Sequence, residues 1–235
     1  IGFVTDSIAT TPFAVDIVRG AQDAAWARGR MLMLVNTERR PEVESDAVAA
    51  LVQHQADGVL FATMYHREIE LPMRLGGLPV VLIDCYSADP ALPAAVPDEE
   101  QGGHTATSHL IAHGHRRIGF VNDPEGLPAG LGRLAGYRRA LREAGLPGCE
   151  DIVLVRPGTA EGGYDAALQL LVREDRPSAL FCFNDRMAMG VYAAAQSLGR
   201  RIPGDLSVVG FDNQELIAAH LRPGLTTVAL PHYEM

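Results

Sequence analysis

The chain is poor in the residues that usually announce chemistry. Its three cysteines, Cys85, Cys149 and Cys182, lie far apart in 235 residues and form no CxxC pair. An odd, scattered set suits a reducing compartment, and so a cytoplasmic protein, better than a disulfide framework. Lys and Arg total 20 against 29 Asp and Glu, a net charge of −9. So acidic a chain is not expected to grip nucleic-acid phosphates by itself, since that affinity is built on clustered cations. No apolar run approaches the length of a membrane span, and no membrane partner is expected. The first residues read as a strand rather than a signal peptide, and a start inside a strand suggests that something upstream is missing. The end at Pro231-His-Tyr-Glu-Met235 is as abrupt.

Sequence motifs for catalysis are missing too. No GxxxxGK[ST] occurs, and Gly130-Leu-Gly132-Arg-Leu-Ala-Gly136 has one residue too many before its last glycine for a dinucleotide loop. There is no GxSxG elbow, and no cysteine stands beside an evident histidine. His109, His113 and His115 gather where a helix should end, but no Glu or Cys completes a metal set. A histidine at a helix C-terminus is favourable in any case. The expectation is a protein with no catalytic residues, no metal and no cofactor.

What is present is a repeat. Ile1-Gly-Phe-Val-Thr-Asp6 and Ile118-Gly-Phe-Val-Asn-Asp123 share five of six positions. After each copy, helix-like segments alternate with short apolar runs in the same order, which indicates a duplicated architecture. Strands are expected at 1–4, 31–35, 58–61 and 79–83, then at 118–123, 152–155, 179–183 and 206–211. Helices are expected from Thr11-Pro12 to Gly29, over 41–53 and 68–75, and then over 102–113, 134–144, 162–172 and 186–198. Residues 87–97, rich in Pro and Ala, read as a linker. The apolar runs do not alternate, as in strands covered on both faces. The fold class is therefore α/β, with two doubly wound parallel-sheet lobes and a cleft between them.

Ligands of open parallel sheets bind beyond the carboxyl ends of the strands. Those ends carry Asp6 and Ser7, Asn36, Thr63 to Tyr65, Asp84, Asp123, Asn184 with Asp185, and Asp212 with Asn213. Short carboxylates and amides bond hydroxyls and ring nitrogens, which suits a neutral polyol or heterocycle. Any one of them could be a simple turn former or cap; seven strand ends of one chemistry are harder to explain that way. Arg133 is placed in a loop entering the 134–144 helix, where a cation is poorly favoured and so more readily functional. Phe13 could stack on a ligand.

Longer phrases carry a resemblance. Phe183-Asn-Asp-Arg-Met-Ala-Met-Gly190 and Gly199-Arg-Arg-Ile-Pro-Gly-Asp-Leu-Ser-Val-Val-Gly-Phe-Asp212 closely resemble the lactose-repressor (LacI/GalR) family of bacterial transcription regulators. So do His113-Gly-His-Arg-Arg-Ile-Gly119, Asp98-Glu-Glu-Gln-Gly-Gly103 and Pro223-Gly-Leu-Thr-Thr-Val228. The resemblance implies the periplasmic-binding-protein-like type I fold, with one lobe at 1–98 joined by 229–235 and the other at 99–228. It implies a homodimer that binds a small effector, sugar being favoured over purine, and operator DNA through a helix-turn-helix absent from this chain. Some thirty-odd C-terminal residues would also be missing, on a rough count as loose as any element boundary. A periplasmic sugar receptor of a transporter is the alternative.

Carried over by position, Phe13 matches an aromatic that stacks on the effector, and Asp84, Arg133, Asn184 and Asp212 match residues that hydrogen-bond it. Asp6 and Tyr65 join them from the strand-end reading. Asp98 and Leu230 mark the crossover. The chain departs from the family at Thr11 and at Glu99, where Asn is common, at Gly158, where many members have a stacking aromatic, and at Leu230, where a polar residue is frequent. These departures suggest a roomier or differently shaped effector.

Overall fold

The computed structural model describes residues 1–10, 13–71, 77–124 and 126–235, and the chain divides into two compact units, Ile1–Pro97 with Pro231–Met235, and Asp98–Leu230. The chain therefore passes from one unit to the other before Asp98 and returns after Leu230.

The first unit runs β1 (Gly2–Thr5), α1 (Val15–Trp26), β2 (Met33–Asn36), α2 (Pro41–Gln53), β3 (Val59–Glu68), β4 (Val80–Tyr86) and β5 (Ala94–Ala95). Its sheet is parallel throughout, in the order β2-β1-β3-β4-β5. Pro41 starts α2 with the φ that the first helical position requires. Ala47 and Leu51 of α2 bury one sheet face with Val4, Phe61 and Leu82, while Ile17 of α1 covers the other with Phe3, Ala62 and Ile83.

The second unit runs α3 (Glu99–Ala112), β6 (Ile118–Asn122), α4 (Pro128–Glu143), β7 (Val153–Val155), α5 (Ala160–Leu171), β8 (Ala179–Cys182), α6 (Asp185–Ser197), β9 (Ser207–Asp212), α7 (Glu215–Ala218) and β10 (Thr226–Ala229). Its sheet, read from β7, is β7-β6-β8-β9-β10 and again parallel. The repeated strands β1 and β6 thus occupy the same second place in sheets of the same order. Val121, Leu180 and Val208 face α5 and α6. Phe120, Phe181 and Phe211 face α3 and α4, with centroids 4.6 Å and 6.3 Å apart along the row. Burial on both faces explains the continuous apolar runs of β1, β6 and β8, whereas the run of β2, expected to be covered as well, lies partly exposed at the sheet edge.

Four sequence expectations are corrected. Residue 68 belongs to β3, not to a helix; β3 runs on past a register shift between Ala62 and Arg67 and stays paired with β4 to Glu68. Residues 72–75 of that expected helix, and the Thr11-Pro12 cap, lie outside the described residues. The 87–97 linker holds the short edge strand β5, with Leu82 N–H donating to Pro93 O. Strand β10, unannounced by its Thr-Thr-Val-Ala sequence, adds to β9. Finally, α4 begins at Pro128, so Arg133 lies within the helix and not in a loop before it.

Candidate functional site

At the carboxyl end of the first sheet, Asp6 is buried and fully engaged. Its Oδ1 accepts from Ser7 N at 2.7 Å and Met64 N at 2.9 Å, so the carboxylate ties β1 to β3. Its Oδ2 takes Arg39 Nε and Arg67 Nη2, both at 3.3 Å. Arg39 arrives through a reversal after β2 in which Glu38 and Arg39 both have positive φ, 52° and 59°. Thr37 N and Glu38 N donate to Thr5 O and Asp6 O, which holds that reversal beside β1. Asp84 is buried within β4 at φ 55°, and the Thr63 hydroxyl lies 2.8 Å from Tyr65 O and 3.0 Å from Asp84 O. Tyr65 itself is exposed. Phe13 is half-buried, its ring meeting His232 edge-on at 5.1 Å.

The second unit gathers its groups more tightly. Arg133 is 3% exposed, its Nε 2.8 Å from Glu99 Oε2 and its Nη1 bonded to Phe183 O. The guanidinium lies 3.7 Å from the Phe211 ring centroid and 4.5 Å from that of Phe183, in cation–π geometry. Asp212 Oδ1 is 3.7 Å from Nη1, an ion pair too long for a hydrogen bond. Arg133 Nη2 carries no bond to any described residue, so one donor of a rigidly held fork remains unspent. Burial pushes the Asp212 carboxyl up to about 7, with Arg133 pulling it down and Asp185 and Glu99 opposing ionisation. Asp185 is likewise pushed up to about 6 by burial, although the Thr227 hydroxyl and Gln214 N both donate to it at 2.6 Å.

Asn184 caps α6, its Oδ1 accepting from Met187 N at 2.8 Å while Nδ2 donates to Gly158 O at 3.0 Å. A Cβ added at Gly158 would stand 2.5 Å from Asp123 Oδ2 and 3.2 Å from Asn184 Nδ2. Gly158 therefore leaves room for the Asp123 carboxylate, which a side chain at 158 would meet. Asp98 caps α3, its Oδ1 accepting from Gln101 N at 2.9 Å, and Leu230 packs against the aromatic row.

The structure brings Arg133 and Asp212 together in the second unit and, in the first, sets Tyr65 and Asp84 around the Thr63 hydroxyl. Sequence reasoning did not assign Glu99, Arg39 or Arg67 to the site. Glu99 was visible only as a departure, whose sense appears once α3 and α4 pack. There a Cβ on Gly103 would strike Arg133 O and one on Gly136 would strike Glu100 O, so the two backbones touch through glycine. His109 and His113 have rings 4.3 Å apart, but no group of three or more His, Cys, Asp or Glu among the described residues could hold a metal. No helix among the described residues is long and apolar enough to cross a membrane.

The family of periplasmic binding proteins and the sugar binding domain of the LacI family matches residues 1–233. The chain belongs to this family. The HTH-type transcriptional repressor PurR of Photobacterium profundum is 33% identical over 224 residues, covering 94% of this chain and 67% of the repressor. A LacI-family transcriptional regulator from Rhizobium etli is 39% identical with a TM-score of 0.89, over 99% of this chain and 85% of that one. The transcriptional regulator CelR in complex with cellobiose is 31% identical with a TM-score of 0.78, over 100% and 73%. All three relatives are transcriptional regulators. Within the LacI family, then, these 235 residues correspond to the effector-binding region, not to a transport receptor.

Proposed function

We propose that the chain is the effector-binding and dimerisation region of a cytoplasmic, homodimeric transcription regulator whose effector is a sugar. Operator DNA would be reached through a helix-turn-helix segment outside these residues. Effector binding would work by favouring one conformation of the protein over another, with differential contacts setting the coupling. The observation that carries this reading is Arg133: a guanidinium braced by Glu99 and by two aromatic faces, with Nη1 3.7 Å from Asp212 Oδ1 and Nη2 unspent. A donor and an acceptor fixed side by side match the paired donor and acceptor of a sugar hydroxyl. Asn184 of the same unit, and Phe13, Tyr65 and Asp84 of the first unit, are proposed as further effector contacts, with Asp6 proposed as a brace within the first unit. The cellobiose complex of CelR supports a sugar.

The test is a thermal-shift screen of the chain against neutral sugars, sugar acids, sugar phosphates and purines. Asp212→Asn and Phe13→Ala should each weaken the response to whichever compound stabilises the parent. Equal affinity in both variants would remove these residues from the site, and a purine as sole stabiliser would replace the sugar.

A further inference from the structure

Two arginines converge on one buried acid at the carboxyl end of the first sheet, and that arithmetic is unbalanced. Asp6 is 2% exposed and divides Oδ2 between Arg39 and Arg67, each at a long 3.3 Å. Glu44, also nearby, accepts from the Thr37 hydroxyl at 3.4 Å and makes no ion pair with either arginine among the described residues, and Asp84 stands on β4 next to Cys85, the rung partner of Arg67. Arg67 Nε is buried and has no hydrogen-bond partner. A buried guanidinium N–H without an acceptor is costly, and such groups in native structures call for an explanation. Arg39 spends only Nε on Asp6, so both of its terminal nitrogens remain, as does Arg67 Nη1. The chain has no lysine, so every cation it places is a planar fork suited to a two-oxygen acceptor. These donors stand on the loop after β2 and on the end of β3, the region that also carries Tyr65 and Asp84.

We propose that Arg39 and Arg67 form an oxyanion subsite, and hence that the effector is an acidic sugar bearing a carboxylate or phosphoryl group. Asp6 serves as the fixed counter-charge that aims the two forks, and the ligand's oxygens complete the acceptor set, including the one that Arg67 Nε lacks. The inference rests on the effector-binding reading above but can fail separately from it.

The first arm uses inorganic phosphate as probe. Thermal shifts are measured against sodium chloride of equal ionic strength, for the parent chain and for Arg39→Gln, Arg67→Gln and the control Arg19→Gln. The parent should be stabilised by phosphate beyond chloride, and each subsite variant should need about tenfold more phosphate for the same shift, while the control is unchanged. Arg39 is exposed, so its variant keeps the fold even if Arg67→Gln does not. A phosphate response no larger than that of chloride, or one untouched by Arg39→Gln, overturns the subsite. The second arm compares glucose with gluconate and glucose 6-phosphate. A gain for gluconate alone assigns a carboxylate, and a gain for the phosphate ester assigns a phosphoryl group. A glucose response equal to both and indifferent to Arg39→Gln overturns the proposal while leaving sugar binding intact. A phosphate response lost in Arg39→Gln, with no sugar bound, supports the subsite and removes the sugar reading.

Discussion

Asp84 and Asp212 stand on the same rung of two sheets built alike. In the first, Gly2 pairs with Val59 and Val59 with Val80, four residues before Asp84. In the second, Gly119 pairs with Leu180 and Leu180 with Val208, four residues before Asp212. Both aspartates have positive φ, 55° and 101°, a region that side chains other than glycine, asparagine and aspartate rarely enter. A six-residue repeat at the chain's two starting strands is thus matched, far along the sequence, by a positive-φ aspartate on the same rung of each unit. Strain of this kind persists where the surroundings fix it, and it gathers at ligand sites.

The backbone at Asp212 therefore constrains what can replace it. At pH 4 or below, where Asp212 keeps its proton, Asp212→Asn should change unfolding free energy by less than about 1 kcal/mol, because asparagine has the same shape and tolerates the same φ. Asp212→Val should cost roughly 2 kcal/mol or more, from a β-branched residue forced to positive φ. Urea denaturation followed by circular dichroism distinguishes the two; equal losses would mean that the backbone there relaxes freely.

Asp212 and Asp185 also imply a pH dependence. Their carboxyls stand near 7 and 6 in the fold against an ordinary 3.8, raised chiefly by burial. Between pH 4 and 7 the unfolded chain has lost these protons while the native chain still holds them, so the native state binds more protons and stability falls as pH rises. Their contribution is whole below about pH 4 and lost on rising through about 7. The parent minus Asp212→Asn difference in melting temperature, measured from pH 4 to 8, should shift against the parent as pH increases. A flat difference would show that Asp212 titrates normally.

Arg133 is embedded in charge, and removing it strands Glu99 and Asp212. Breaking such a buried pair from one side costs about 3–5 kcal/mol. Arg133→Ala should show a loss of that size in chemical denaturation, and Arg133→Ala with Glu99→Gln should recover part of it. No recovery in the double variant would mean that Glu99 is not the partner that matters.

Gly136 holds α4 against α3 backbone to backbone. Adding one methyl in Gly136→Ala should cost about 1–3 kcal/mol by overpacking. Because the same contact positions Arg133 near Glu99, ligand response should fall along with melting temperature. A stable variant with unaltered ligand response would show that the helices separate without consequence.

All three cysteines are buried, and burial pushes the Cys85 thiol up to about 11 and that of Cys182 higher. Iodoacetamide should leave the native chain unlabelled at neutral pH and label three sites after denaturation. Rapid native labelling would contradict the burial.

The sequence by itself determined the fold class, the duplication and the family. Those signals are local: apolar runs without alternation, caps and glycine stops, and phrases that recur because one turn after another needs them. It also reached Asn184 just past β8 and Asp212 at the end of β9, whereas Asp84, expected just after a strand, lies inside β4, which runs on to Tyr86. It went wrong where neighbours in space decide the outcome. A polar run at 65–68 continues as strand because β4 offers it a ladder past the register shift. Arg133 lies inside a helix because Pro128 starts that helix early, and it is held by Glu99 only because glycines let two backbones touch. Two arginines meet Asp6 from positions 33 and 61 residues away. No local pattern encodes such a meeting; the parallel sheet that sets β2, β1 and β3 side by side does.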